Sequence, residues 1–428
     1  MTVLIKNGHV LDPSNGMDGI RDIYIKDGII VTMGSKLEIT ADEVIDANGL
    51  YVMPGFIDLH VHLREPGFEY KETIKTGSAA AARGGFTTIC PMPNTKPAID
   101  SRERIEWLKN KEREESLVHI LPIGAVTKGQ MGEELSDIAE MAMAGAAAIS
   151  EDGKSVMSTS LYREGMLKAK EAGIPVFAHC EDKNLVGDGV INEGNMAREL
   201  NLPGISNAVE DIIAIRDILL AKETGVRLHL CHCSTKDSVA FLQWAKKEGL
   251  PVTGEVCPHH FTLTDEDIPC DDSNYKMNPP LRSKADVEAL KEGLKNGILD
   301  VIATDHAPHS KEEKDKSFLH APFGIVGLET AFALSFTELV ETGILSLSEL
   351  VGKLSTNPAE VLGIDRGSLK EGTAADIVIT DTSEWYLIDK ETFASLGKNT
   401  PFHGRRVKGK IIYTLVDGQI VYKAEEQQ

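Results

Sequence analysis

The stretch DLHVHLREPG, Asp58 to Gly67, follows directly on the apolar run PGFI and closes a strand-like segment with two imidazoles, an arginine and a glutamate. Side chains two apart on a strand point the same way. His60 and His62 therefore share one face at the end of GFIDLHVH. Paired imidazoles at a strand end can hold a divalent ion, although a lone HxH is read equally well as packing or hydrogen bonding.

The same design recurs outward along the chain. Eight short apolar segments, GFIDLHVH, FTTICPMP, LVHILPI, GAAAIS, IPVFAH, VRLHLCH, PVTGEV and LDVIAT, alternate with helical patterns such as YKETIKTGSAAAARGG, SRERIEWLKNKEREE, STSLYREGMLKAKEAG, STKDSVAFLQWAKKEG and SKADVEALKEGLKNG. Alternation of this kind predicts βαβ units around a parallel sheet, hence an α/β protein. Eight strands over residues 55–365 suit a (β/α)8 TIM-type barrel better than an open sheet. Residues 1–54 and 366–428 carry short strands with turn signals, such as IKDGII, DANGLY and VDGQIVYK. They are expected to pair as one small β-sandwich built from both termini, two separate β caps being the alternative.

In such a barrel the C-terminal ends of the strands line the mouth. The first strand ends in His60 and His62, the fifth in His179, the sixth in His232, and the eighth, LDVIATDHAPH, in Asp305. Each histidine alone reads as an ordinary half-buried side chain. Together, unpaired imidazoles converging on one mouth would be desolvated without a shared partner, and a metal resolves that conflict. Imidazole and carboxylate ligands point to zinc first.

Composition narrows the classes. With 66 acidic against 45 basic residues the chain carries a net charge of −21, which repels nucleic acid and anionic membrane surfaces. No leader pattern and no apolar run of membrane-spanning length is visible, so a cytoplasmic setting is expected. The six cysteines (Cys90, Cys180, Cys231, Cys233, Cys257, Cys270) form no CxxC and read as reduced, mostly buried thiols, with Cys231 and Cys233 flanking His232 as minor ligand candidates.

DLHVHLREPG, PMPNT, SEDG, FAHCED, HLCHCST, EVCPHH, KMNPPLR and ATDHAPH, in this order, resemble the dihydroorotase branch of the amidohydrolase superfamily. The likeness spans nearly the whole chain, from the N-terminal β half through PGFID to the late STNPAEVLGI and GTAADIVI. It implies two zinc ions per chain, the first held by His60, His62 and Asp305, the second by His179 and His232, with Asp152 of SEDG as the bridge. Lys154 is the rival bridge, since many superfamily members use a carboxylated lysine near this strand end. The resemblance further implies that His62, Arg64, Asn94, Asn278, His309 and the backbone of Phe323 and Gly324 contact substrate, with Arg64 and Asn94 clamping its carboxylate. Asp305 is implied as the catalytic base and acid. His259 and His260 are read as structural, His306 as holding its loop, and SKEEKDKSF as a solvated, mobile loop near the mouth.

The implied reaction is the reversible, zinc-dependent hydrolysis of the cyclic amide of dihydroorotate to N-carbamoyl-aspartate in pyrimidine synthesis. A homodimer, with possible association with an aspartate transcarbamoylase, is expected by analogy. Three alternatives stand beside it: a hydantoin or allantoin hydrolase, which needs no carboxylate clamp, a metal-free scaffold, and a noncatalytic subunit of a pyrimidine-pathway assembly.

Overall fold

A computed structural model describes residues 1–425. Residues 426–428, the end of the expected 366–428 stretch, lie outside the described residues. Both chain ends enter a single eight-stranded sheet. Its order is Gln419–Lys423, Lys410–Val416, Ile377–Asp381, Tyr51–Pro54, Thr2–Asp12, Met17–Lys26 and Ile29–Gly34, with Glu43–Asp46 also paired to the first strand. The two halves meet where Tyr51–Pro54 runs antiparallel to Ile377–Asp381. The ends therefore share one ladder and are not two separate caps. Alternating β-branched residues explain the pairing, because Val3, Ile5, Ile23, Ile25, Val52, Ile377 and Ile379 bury one face into a core of their own.

Between the ends, each of the eight apolar segments contributes a strand. Phe56–Val61, Phe86–Pro91 and His119–Ile120 form one parallel sheet, and Ile123–Ala125, Ala148–Ser150, Val176–Ala178, Leu228–Leu230, Val252–Val256 and Val301–Ile302 form another. LVHILPI is thus split in two. Pro122 has no N–H for the ladder, so the segment pairs backward before it and forward after it. At one seam the segment LVHILPI itself joins the sheets, with Leu121 N donating back to Ile89 O at 3.0 Å and Pro122 O accepting from Ala147 N at 2.9 Å; at the other, His62 N donates to His306 O at 2.8 Å.

The five expected helices form as Ile74–Arg83, Arg102–Glu115, Thr159–Ala172, Lys236–Lys247 and Lys284–Lys295. Ser158, Thr235 and Ser283 each cap an N-terminus through the side-chain oxygen. Small residues let Ile74–Arg83 lie close to the loop after the first parallel strand, since a Cβ on Gly77 would come within 2.5 Å of Leu63. The chain adds a 17-residue helix, Ala208–Thr224, beyond those five. Among the described residues no helix is long and apolar enough to cross a membrane.

Gly55 is the joint between the terminal sheet and the first parallel strand. Its N–H donates to Asp376 O at 2.9 Å and its carbonyl accepts from Ser355 Oγ at 2.8 Å. A Cβ there would meet the Thr87 side chain at 2.3 Å. Gly55→Ala is expected to destabilise the fold by about 1–3 kcal/mol, as overpacking does. Urea unfolding checks this, and an unchanged midpoint would show that Thr87 can swing aside.

Candidate active site

The strand ends bring His60, His62, Asp152, His179, His232 and Asp305 into one buried cluster. Asp152 is its centre. Its Oδ1 lies 3.3 Å from His60 Nε2, 3.4 Å from His179 Nδ1 and 3.8 Å from His232 Nε2, while Oδ2 lies 3.7 Å from His62 Nε2. Asp305 Oδ1 approaches His62 Nε2 at 3.0 Å and His60 Nε2 at 3.6 Å. Two ligand-like triads result, His60–His62–Asp305 and His60–Asp152–His232, each with its donor atoms within 4.8 Å of one another. Lys154, the rival bridge, is exposed to solvent on the turn beyond Asp152.

Backbone conformation aims these groups. Arg64, His232 and Asp305 take φ of +61°, +33° and +48°, a left-handed region that non-glycine residues seldom occupy. Such strain persists only where surrounding structure enforces it, and here it turns three side chains at strand ends toward one point.

The electrostatics are those of a site that wants positive charge. Burial alone would push the Asp152 and Asp305 carboxyls up, but the neighbouring imidazoles outweigh it and hold both well below the usual carboxylate range. Burial likewise opposes charge on His60 and His179, yet Asp152 with Asp305 raises the first well above 6.5, and Asp152 with Glu181 raises the second to about 9. His62 goes the other way, lowered by burial.

One atom tests the fit of a cation directly. His60 Nδ1 is bonded to Glu255 Oε1 at 3.0 Å, which leaves Nε2 as the lone-pair nitrogen. That Nε2 is fully buried and, among the described residues, has no hydrogen-bond partner. It faces two carboxylates. Lone pairs converging in this way need a positive charge between them, and the imidazole and carboxylate donors suit zinc or a similar divalent ion.

Asn94 sits beside this cluster, accepting from His62 Nδ1 at 2.9 Å and donating to Asp152 Oδ2 at 2.9 Å. Arg64 points inward instead of pairing with Glu65. Its Nε donates to Pro308 O at 3.1 Å, and Nη2 lies 3.4 Å from His309 Nε2. Glu65 accepts from Ile74 N. His309 is bonded through Nε2 to Phe323 O at 2.8 Å, and its basicity is lowered by burial and then by Arg64 and Lys71. Gly324 N donates to Lys276 O at 3.0 Å. Asn278 is drawn off to Glu181 at 3.3 Å.

The segment SKEEKDKSF is largely solvent-exposed, as expected of it, but is not a plain loop: Lys314 and Phe318 are buried. Ser310 caps a short helix, Lys311–Lys314, and the buried Lys314 ammonium donates to Lys276 O, Pro322 O and Gly324 O. Glu313 accepts from Lys71 at 3.0 Å. Satisfying a buried ammonium anchors the segment under APFG. Sequence reasoning also missed the buried Glu255 and His229 and the half-buried Glu181, groups that touch the imidazoles or their partners. Only Glu255 had a signal, as an acid inside an otherwise apolar strand.

A family model described as Dihydro-orotase-like matches residues 49–238. The chain is 49% identical to a dihydroorotase of Caldanaerobacter subterraneus, covering 100% of this chain and 99% of that protein. The chain belongs to the dihydroorotase family. It is therefore a cyclic amidohydrolase enzyme. A dihydroorotase of a Geobacillus strain is 50% identical over 99% of both chains. Among solved structures, an L-hydantoinase of Arthrobacter aurescens superposes with TM-score 0.87 at 28% identity, covering 99% of this chain and 96% of its own. A dihydropyrimidinase of Brevibacillus agri gives the same TM-score.

His259 and His260 stay outside the cluster, as expected for structural groups. His260 donates from Nε2 to Pro279 O at 2.9 Å, and burial lowers its pKa to about 3. The unfolded chain, with His near 6.5, takes up a proton that the fold refuses, so this group makes stability fall as pH drops below about 6.5. His260→Gln keeps a donor for Pro279 and removes the titration. Between pH 7.5 and 5.5 the natural protein is expected to lose about 1.4 kcal/mol more than this variant. Equal losses in parallel urea titrations would exclude the linkage.

Proposed function

We propose that this chain hydrolyses dihydroorotate reversibly to N-carbamoyl-aspartate in pyrimidine synthesis, through two divalent ions caged by the cluster around Asp152. The single observation that carries the reading is Asp152 within 3.8 Å of imidazole nitrogens from four histidines, one of which turns an unpartnered lone pair toward it. In this reading the two parallel sheets act as one (β/α)8 barrel over residues 55–365, with residues 1–54 and 366–428 as an appended β unit. The shared segment LVHILPI at one seam and the bond from His62 N to His306 O at the other support it. His60, His62 and Asp305 would hold one ion, His179 and His232 the other, and Asp152 both. When bound, such ions activate water near neutral pH and polarise the amide carbonyl.

The chain's own residues then divide the work. Asp305 stays ionised at neutral pH, so it can take the proton of the attacking water and deliver it to the departing ring nitrogen as the C–N bond breaks. The product gains a carboxylate. Arg64, already turned into the mouth, supplies a planar fork for the carboxylate that dihydroorotate carries from the start. Asn94 keeps His62 and Asp152 in register and offers its amide to the same anion. His309, held neutral, and the anchored Phe323–Gly324 backbone form the far wall against the ring. Zinc, which the imidazole and carboxylate donors suit, and a cytoplasmic setting belong to the same proposal; the homodimer and a transcarbamoylase partner belong to it on family likeness alone.

Asp305→Asn is expected to retain metal, measured per chain by mass spectrometry, while turnover falls by at least about a hundredfold, the low end of general acid–base contributions. A natural rate in that variant would rule out the proton-transfer role. Arg64→Met separates this reading from a hydantoinase. It should lose kcat/KM for dihydroorotate by about 2 kcal/mol or more, as a charge-assisted pair does, and far less for a hydantoin without a carboxylate. Equal losses on both substrates would show that Arg64 does not read the anion.

A further inference from the structure

We infer that Glu255 is a positioning residue for the His60 imidazole and that His229 holds Glu255 in turn, so that the cluster is aimed by a relay starting at the opposite end of the strands. This rests on the reading of His60 as a metal ligand.

Glu255 lies on the strand Val252–Val256 and is wholly buried. It has no lysine or arginine partner among the contacts described; what it has are N–H donors. Its Oε1 meets His60 Nδ1 at 3.0 Å and accepts from His232 N at 3.1 Å, while its Oε2 meets His229 Nε2 at 2.9 Å. His229 Nδ1 lies 2.8 Å from Thr253 Oγ1. An ionised carboxylate only accepts, so His60 Nδ1 and His229 Nε2 must both donate. His229 Nδ1 is then the acceptor for the Thr253 hydroxyl. The Thr253 hydroxyl has a second, longer acceptor in Leu228 O at 3.5 Å, and the last link of the relay presents the His60 Nε2 lone pair to Asp152 and Asp305.

The same carboxylate touches two of the cluster's histidines, one through its ring and one through its backbone. That links the first strand to the sixth from beneath. A buried carboxylate is costly unless its bonds are made, and here no substrate group can reach it. Thr253, at the far end, lines a cavity of about 370 Å³ with Arg227, Asp300 and Glu360, where the strands begin. Partners of this kind fix the tautomer and ring angle of a ligating histidine, and losing one typically weakens metal binding 10- to 100-fold.

The test is zinc affinity of chelator-stripped protein, read by competition with a chromophoric chelator, with circular dichroism to confirm folding. Glu255→Gln, which puts an amide N–H against one of two donors, is expected to weaken zinc about 10- to 100-fold. His229→Leu should weaken it in the same direction. His229→Gln, whose amide can still donate to Oε2, should recover most of the loss, a rescue that mere filling of the core would not give. Glu255→Gln folded and as tight as the natural protein overturns the proposal, as does His229→Gln no better than His229→Leu. Cys231, Glu255 and His60 also lie within 4.8 Å of one another. A thiolate-to-cobalt absorption band in the cobalt-loaded protein, abolished by Cys231→Ser, would show an ion in place of the Glu255 bond and overturn it equally. A natural protein that binds no zinc at all would sink the metal reading itself, which keeps the two failures apart.

Discussion

The arrangement depends on one electrostatic constraint: imidazole lone pairs and carboxylate oxygens face each other in a largely desolvated space at the strand ends. Nothing neutral can occupy that geometry at low cost. Protons on His60 and His179 would relieve it partly, and divalent ions would relieve it fully. Strand order, the left-handed turns at His232 and Asp305 and the close approach of the helix Ile74–Arg83 are all consistent with serving this point. Each brings or holds a donor that local propensity alone would place elsewhere.

Much of this was legible in the sequence, for a physical reason. Strands that end at a mouth announce themselves by an apolar run followed by a polar ligand, and DLHVH, FAH, HLCH and IATD all have that form. Asp152 was legible only through family likeness, because SEDG alone is an ordinary turn. Glu255 and His229 were not singled out, since their partners lie across the interior and spacing says nothing of cross-strand contact. The helix Ala208–Thr224 has no clean apolar stripe. Ile212 and Leu219 face solvent while Val209, Ile213 and Ile218 are buried, so periodicity blurs. SKEEKDKSF hid its anchor in the opposite sense. Its composition is that of a solvated loop, and one lysine among several, Lys314, finds three carbonyls and is drawn inside.

Shape and sequence speak to different questions here. The hydantoinase structures share the architecture at 28% identity, so the scaffold does not choose a substrate. Relatives near 49% identity over the whole length carry the dihydroorotase name. The candidate for that choice is local: a half-buried arginine beside His309, turned inward by a strained backbone, where a carboxylate would be met.

The shared sheet of the two chain ends also has a consequence in time. Tyr51–Pro54 leaves the ribosome roughly 300 residues ahead of Ile377–Asp381, its antiparallel neighbour. At typical elongation rates of about 5–20 residues per second that is a wait of tens of seconds with one edge unsatisfied. An exposed strand edge is a template for wrong pairing. A nascent chain of this protein thus spends most of its synthesis with an open flank that only its own tail can cover.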